Sequence, residues 1–266
     1  MMVQNYFSIM KQLPSLKFSL LAIFTLGFSV HQSGAALAFT TIDMLAIGAG
    51  NASVSQTGAL TPGEFPFGSP TVFGNVPFIV TPSSGQLWSA HFANVNAGGA
   101  SNAVVTQTFP LAVSDIFGFY TIASTYWGYT GMDTTQIRFN FSDSTNYSYT
   151  LVNGVDVRDF NSATTTYATT INGTTAREIY NDSTTTTRLD RQFYDLDAAG
   201  FGGKNLVSFT IIDSGATATS RIFLVGATAQ TGQAGQAAVP EPSGLAMLGA
   251  GLGFLGLARR RTRHTT

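Results

Sequence analysis

Residues 135–142 alternate between apolar and polar side chains, and this pattern constrains the fold more than any other in the chain. Successive side chains of a strand point to opposite faces, so Ile137, Phe139 and Phe141 share one face and polar side chains occupy the other. Such a strand has to bury its apolar face against a second layer. The pattern therefore predicts a half-buried β-strand.

The segment Asn146–Val152 repeats this alternation, so it predicts a second strand. Its apolar side carries Tyr147, Tyr149 and Leu151. Between the two strands, Ser142–Thr145 contains only Ser, Asp and Thr, whose side chains favour turns by bonding to nearby backbone. We therefore predict an antiparallel hairpin, followed by a tight turn at Asn153-Gly154.

The segment 39–227 is rich in Thr, Ser, Gly, Phe and Tyr, a composition typical of strands, and it lacks a long 3.6-residue period. Further strands are predicted at Thr41–Ile47, Gln86–Val95, Ala103–Phe109, Ile116–Thr125, Val155–Phe160, Thr187–Tyr194, Asn205–Ile212 and Arg221–Thr228. Gly48–Pro82, rich in proline and glycine, is predicted to be mostly loop around short extended pieces. The fold class is therefore predicted to be all-β, a single antiparallel β-sandwich of jelly-roll type.

Residues 1–38 have the features of a secretory signal peptide. Two lysines precede an apolar core at 18–30, and the sequence Ala-Leu-Ala at 36–38 fits a small-x-small cleavage site. Cleavage there would make Phe39 the first mature residue. We therefore predict export through the Sec route.

The C-terminal residues 239–266 form three consecutive parts after a Gln/Gly/Ala-rich linker at 228–238. The prolines of Val239–Pro242 keep that peptide extended. The apolar segment 244–258 would span about 22 Å as a helix, which crosses a membrane if the bilayer thins. The arginines that follow this segment favour placing the C-terminus on the cytoplasmic side of the membrane. This order predicts a short transmembrane helix at the C-terminus.

Three consecutive features together resemble a PEP-CTERM sorting signal. They are the peptide Val239, Pro240, Glu241 and Pro242, the apolar segment, and the arginines Arg259, Arg260, Arg261 and Arg263. The resemblance implies processing by an exosortase of a Gram-negative bacterium and a precursor held transiently in the inner membrane. It also implies release to the cell surface or matrix, where the partner is extracellular polysaccharide of a biofilm. The alternative is an ordinary C-terminal anchor behind a proline-rich linker.

A second resemblance concerns the domain at 39–227. The segments Gly74–Val80, Asn153–Asp159, Leu206–Ile212 and Ile222–Thr228 look like the elements of a galactose-binding-like jelly roll. This resemblance implies a domain associated with carbohydrate.

Charge excludes one class of partner. The chain has 13 Lys+Arg and 14 Asp+Glu, but six of the positive residues lie in the terminal signals, which leaves residues 39–238 clearly acidic. An acidic domain repels phosphates, so no nucleic acid partner is expected. The absence of cysteine excludes disulfides and thiolate metal sites.

Catalytic residues are not evident in the domain. His91 is its only histidine and is predicted to lie on a strand face, so no zinc site is expected. Glycoside hydrolysis needs a pair of carboxylates, and the candidates are Glu64, Glu178, Asp156, Asp159, Asp190, Asp195 and Asp197. Their spacing singles out no pair; we expect turn residues or surface ion pairs, for example at Asp190-Arg191. No cofactor is predicted, and a structural calcium is an open alternative without named ligands.

Aromatic residues suggest a binding surface. Tyr126, Trp127 and Tyr129 lie where a predicted strand passes into a glycine-containing loop, and such rings can stack on sugars. The alternative is that these residues pack in the core. The sequence as a whole predicts a non-enzymatic exported surface or matrix protein; the alternatives are a carbohydrate-binding module and a polysaccharide-acting enzyme that uses paired carboxylates.

Overall fold

The computed structural model describes residues 37–44, 46–47, 52–53, 68–80, 86–94, 103–183, 186–215 and 220–232. The chain divides into two units, Met1–Gln32 and Ser33–Thr266, and every described residue belongs to the second. The predicted signal peptide up to residue 36 and the tail at 239–266 therefore lie outside the described residues. In the described part, no helix has the length and apolar character that a membrane crossing requires.

The described residues form strands and one helical turn. The strands are β1 (Phe39–Ile42), β2 (Ala52–Ser53), β3 (Gly68–Phe73), β4 (Val76–Val80), β5 (Gln86–Ser89), β6 (Val105–Ile116), β7 (Gly118–Tyr126), β8 (Asp133–Phe141), β9 (Asn146–Val152), β10 (Ala176–Asp182), β11 (Thr187–Asp195), β12 (Lys204–Asp213) and β13 (Arg221–Gln230), and the helix is α1 (Ala90–Asn94). The predicted all-β class is confirmed.

The strands form two main sheets, and all paired strands are antiparallel. The seven-stranded sheet has the order β10-β11-β7-β13-β5-β2, with β1 also paired to β13. The four-stranded sheet has the order β6-β12-β8-β9, and β3 pairs separately with β4. The central strand β13 therefore pairs with β7 on one side and with both β5 and β1 on the other.

The main core lies between the seven-stranded and four-stranded sheets. Phe119 of the larger sheet lies with its ring centroid 5.2 Å from Phe139 and 5.1 Å from Phe209, both in the smaller sheet. All three side chains are fully buried. The two sheets thus face each other through aromatic side chains, as in a β-sandwich. The jelly-roll topology within this class stays a prediction.

The opposite face of the seven-stranded sheet is also covered. The β3–β4 hairpin packs Phe78 there against a cluster that includes Ile122 and Phe223. Because both faces are covered, β7 and β13 are buried along their whole length. The short extended pieces predicted within Gly48–Pro82 include β3 and β4, which form this outer layer.

The predicted hairpin is confirmed as β8 and β9. Ile137, Phe139 and Phe141 are at most 3% exposed, so the predicted buried face is the right one. The backbone N–H of Phe141 donates to the carbonyl of Thr145 at 3.0 Å and closes the turn.

The strand predicted at Gln86–Val95 is shorter than expected, and the one predicted at Val155–Phe160 is absent. The strand expected at Gln86–Val95 ends at Ser89, because the Ser89 hydroxyl accepts a hydrogen bond from the His91 N–H at 3.1 Å and caps α1. The segment 155–160 forms no strand and makes only isolated bridges, between Asp159 and Thr125 and between Val157 and Asn153. There, Asp156 turns the chain back by accepting the Val152 N–H at 3.0 Å.

The two ends of the domain meet at one end of the seven-stranded sheet. Phe39 pairs with Gln230, and the Thr231 N–H donates to the Ala38 carbonyl at 2.9 Å. The other end of β13 begins at Arg221, which pairs with Tyr126. The chain therefore leaves toward its tail from the end of the sheet that lies away from Tyr126.

Candidate functional site

The three residues of the predicted sugar platform have unequal exposure. Tyr126 ends β7 and is 6% exposed, whereas Trp127 is 37% exposed and Tyr129 is half-buried. The Tyr126 ring packs 4.9 Å from Phe223 and 5.3 Å from Phe160. Burial, assisted by the charge of Asp159, raises the pKa of Tyr126 above its usual range. Tyr126 is thus a core residue, and Trp127 is the ring that a ligand can reach.

Trp127 has an unusual backbone conformation. Its φ is 53°, a value that bulky residues rarely adopt and that surrounding contacts have to maintain. The Trp127 N–H donates to Asp159 Oδ2 at 2.6 Å, and the Asn161 N–H donates to Oδ1 at 2.9 Å. Asp159 is 2% exposed, and burial raises the pKa of its carboxyl although both hydrogen bonds oppose the shift. A buried carboxylate therefore holds the exposed indole at the end of the strand.

Gly128 allows close approach of the neighbouring loop. Its carbonyl accepts the Ala168 N–H at 2.7 Å. A Cβ at this position would collide with Thr125 Oγ1 and lie 2.6 Å from Asn153 Oδ1, so a larger residue does not fit. The contact brings the segment that contains Tyr167 close to the end of β7.

Four aromatic side chains lie at this end of the domain, which we call the aromatic end: His91, Trp127, Tyr129 and Tyr167. The ring centroids of His91 and Trp127 are 5.7 Å apart, and those of Tyr129 and Tyr167 are 5.2 Å apart, both in edge-on geometry. Burial and the charge of Arg221 lower the pKa of His91, which favours the neutral imidazole. An uncharged aromatic surface of this kind suits a sugar face better than an ion.

A charge network with a buried arginine and a buried aspartate supports the loops of the aromatic end. Arg158 Nε donates to Asp190 Oδ2 at 2.8 Å, and Nη2 donates to Asp190 Oδ1 at 2.7 Å and to Glu178 Oε2 at 2.6 Å. Burial alone would lower the pKa of Arg158, but Asp190 and Glu178 outweigh it and raise the value. The prediction of a surface ion pair at Asp190-Arg191 is wrong, because Asp190 is fully buried.

A second arginine links this network to the aromatic loops. Arg188 Nε donates to the Asp159 carbonyl at 2.8 Å, and Nη2 donates to the Ala168 carbonyl at 3.3 Å. Arg188 thereby holds the two segments that position Trp127 and Tyr167. Sequence reasoning missed the roles of Arg158 and Arg188, whose only signal was that each lies within three residues of an aspartate.

The other predicted carboxylates also serve local structure. Asp156 accepts the Tyr149 hydroxyl at 3.0 Å, and Asp195 accepts the Ala198 N–H at 2.9 Å. Glu64 lies outside the described residues. Among the residues that the structure describes, no group of three or more His, Asp or Glu side chains is placed to hold a metal ion.

The sorting tail lies outside the described residues, but its sequence matches a known model. Residues 238–262 match the family model described as the PEP-CTERM protein-sorting motif. The match includes Val239, Pro240, Glu241 and Pro242 and extends past the arginines at 259–261. No curated protein and no solved structure matches the chain.

This motif defines the class of protein: an exported protein whose precursor is anchored in a membrane and processed for the cell surface. More particularly, the chain carries a PEP-CTERM protein-sorting motif and is targeted to an exosortase. The galactose-binding-like resemblance of the domain stays a prediction.

Proposed function

We propose that this chain is a non-enzymatic protein of the cell surface or extracellular matrix, held there in association with extracellular polysaccharide. The observation that carries the proposal is the sorting motif at residues 238–262. The Sec route then follows from the predicted signal peptide at 1–38. The described carboxylates support a non-enzymatic role, because Asp190 and Glu178 bind one arginine and Asp159 holds backbone N–H groups.

The proposal predicts that retention at the surface depends on polysaccharide. The released protein should co-sediment with extracellular polysaccharide from producing cells and should move to the soluble medium in a strain that makes none. Immunoblots of both fractions measure the ratio. A second exported protein without the motif serves as the control. An unchanged distribution in the polysaccharide-deficient strain would contradict the proposal, and hydrolysis of that polysaccharide by the purified protein would favour the enzyme alternative.

The exposure of Trp127 favours a second candidate function, a carbohydrate-binding module with a defined sugar site. The indole is 37% exposed and held at a positive φ by a buried carboxylate, so its position is fixed before a ligand arrives. The aromatic end also lies away from the end where Thr231 leads to the tail. A tethered domain would therefore present these rings outward.

Replacing Trp127 with Ala should weaken sugar binding about tenfold, equivalent to about 1.4 kcal/mol. The loss follows from removal of the exposed stacking ring. Glycan-array screening followed by calorimetry measures the change. Val207→Ala is the matched control, because Val207 is 42% exposed but lies on β12 of the other sheet. Equal sugar affinities of the Trp127 variant and wild type would show that the aromatic end is not the sugar-binding site.

A further inference from the structure

Two consecutive pairs in the β10–β11 ladder bring like charges together. Arg177 lies directly opposite Arg191, and the next pair is Glu178 opposite Asp190. Opposed residues of antiparallel strands project on the same face, and consecutive pairs project on opposite faces. One face of this ladder therefore carries two guanidinium groups, and the other carries two carboxylates.

Only the carboxylate pair has a charged partner in the described structure. Arg158 donates to both Glu178 and Asp190. The described ion pairs include no carboxylate for Arg177 or Arg191. Like charges directly opposite each other destabilise a ladder, so the arginine pair is an unbalanced feature of the fold.

The arginine pair faces a groove. The groove lies between β10–β11 and the β3–β4 turn and has a volume of about 460 Å³. Residues 72–75 form one wall and Arg177, Glu178, Ile179 and Arg191 form the other, and the carboxylate of Glu178 is bound by Arg158. This volume falls within the range of small-molecule sites.

The turn holds the Arg191 guanidinium in place. Arg191 Nη1 donates to the Phe73 carbonyl at 2.7 Å and to the Gly74 carbonyl at 3.0 Å, and its guanidinium carbon lies 5.2 Å from the centre of the Tyr120 ring. A Cβ on Gly74 would approach Nη1 to 3.0 Å at a φ of +55°, so glycine suits this close contact. Arg191 Nε donates to no described residue.

The second guanidinium is exposed and lightly held. Arg177 makes one long hydrogen bond, from Nε to the Thr174 carbonyl at 3.3 Å, and its side chain is exposed. One fixed and one adjustable guanidinium on the same wall of a groove match an oxyanion, since arginine forms paired, charge-assisted hydrogen bonds to carboxylates. A bound oxyanion would also remove the repulsion within the pair.

We propose that this groove, bounded by Arg177, Arg191 and Asn75, binds the carboxylate of an acidic sugar residue in an extracellular polysaccharide. The proposal rests on the polysaccharide association proposed above and specifies that the bound polysaccharide is acidic. Because residues 39–238 are acidic overall, they repel a polyanion elsewhere, and the groove gives such a chain a local point of attachment.

The test uses the exported protein purified from producing cells, with polygalacturonate, neutral dextran and inorganic sulfate as probes in calorimetry. Wild type should bind polygalacturonate with an affinity that falls as salt rises, and should not bind dextran in this groove. Arg177→Gln should weaken polygalacturonate binding at least about tenfold. The matched control is Arg138→Gln, because Arg138 contacts the neutral side chains of Ser148 and Gln136 on the other sheet.

A second readout separates binding from a merely structural role. Without ligand, Arg177→Gln should raise the thermal unfolding midpoint by about 1–3 °C, since it relieves the like-charge pair. Arg177→Glu should raise it further by pairing with Arg191, and should abolish binding. A lowered midpoint for both variants, or equal polygalacturonate affinity in Arg177→Gln and wild type, would overturn the proposal.

The probes also distinguish the sources of the oxyanion. Binding of sulfate without polygalacturonate would overturn the assignment to an acidic sugar. If Arg177→Gln stays retained by cellular polysaccharide and binds polygalacturonate like wild type, the groove proposal fails and the polysaccharide proposal stands. If wild type is not retained by cellular polysaccharide at all, the polysaccharide proposal fails, and the groove proposal that rests on it fails with it.

Discussion

Replacing Phe139 with alanine is expected to lower the free energy of unfolding by about 3–5 kcal/mol. Phe139 is fully buried at the centre of β8, with Phe119 of the opposite sheet 5.2 Å away and Tyr194 5.4 Å away. Alanine would leave a cavity between the two sheets, where neighbouring rings can fill little of the space. The loss is large relative to the stability of an ordinary domain.

Urea denaturation followed by tryptophan fluorescence measures this change. Gln136→Ala on the same strand is the control, because Gln136 is part-exposed on the opposite face and should shift stability by less than about 0.5 kcal/mol. Neither midpoint should respond to reductant, because the chain has no cysteine. An unchanged midpoint for Phe139→Ala would mean that β8 does not contribute to the core between the sheets.

The sequence predicts strands well where only one face is buried. In β8 and β9 one side meets the core and the other meets solvent, so the alternation of Ile137, Phe139 and Phe141 appears directly in the sequence. The turn at Ser142–Thr145 adds a local signal that needs no distant partner. Both the strands and their pairing are therefore predictable from neighbouring residues.

Strands that depend on distant partners were harder to predict. β10 is not predicted from the sequence, because Glu178 meets its partner Arg158 on a separate segment. β6 extends to Ile116, past the predicted end at Phe109 and past Pro110, which cannot donate to a ladder. Pro110 is tolerated because β6 is an edge strand and its register with β12 shifts at this point.

The candidate site shows the same limit. The sequence places Tyr126, Trp127 and Tyr129 together, but it cannot tell which ring is exposed, because that depends on the φ of Trp127 and its bond to Asp159. The sequence also cannot show that Arg177 lies opposite Arg191, because this depends on the register between β10 and β11. Contacts between segments far apart in the chain decide both features.

The second large effect is expected at the sorting motif, for a variant with Glu241→Gln, Pro240→Ala and Pro242→Ala. The released wild-type protein should begin at Phe39 and end within Pro240–Pro242, because the signal peptide and the anchor are both removed. In the variant, glutamine removes the charge, and alanine lets a helix grow outward from Gly244, so the peptide no longer stays extended for an exosortase. Release should fall at least about tenfold, and the precursor should accumulate in the membrane fraction.

Intact-mass analysis of the medium and immunoblots of the membrane fraction measure both expectations. The folded domain should be unaffected, because the sheet ends at Gln230 and Thr231 closes against Ala38 before the tail begins. The control is Gln233→Ala in the linker, which leaves the motif intact and should release normally. Recovery of Arg259–Arg263 on protein in the medium, or release of the triple variant at the wild-type rate, would show that the match at 238–262 does not direct processing. The apolar segment and its arginines would then act as an ordinary anchor, since they orient a chain in a membrane without needing the Pro-Glu-Pro sequence.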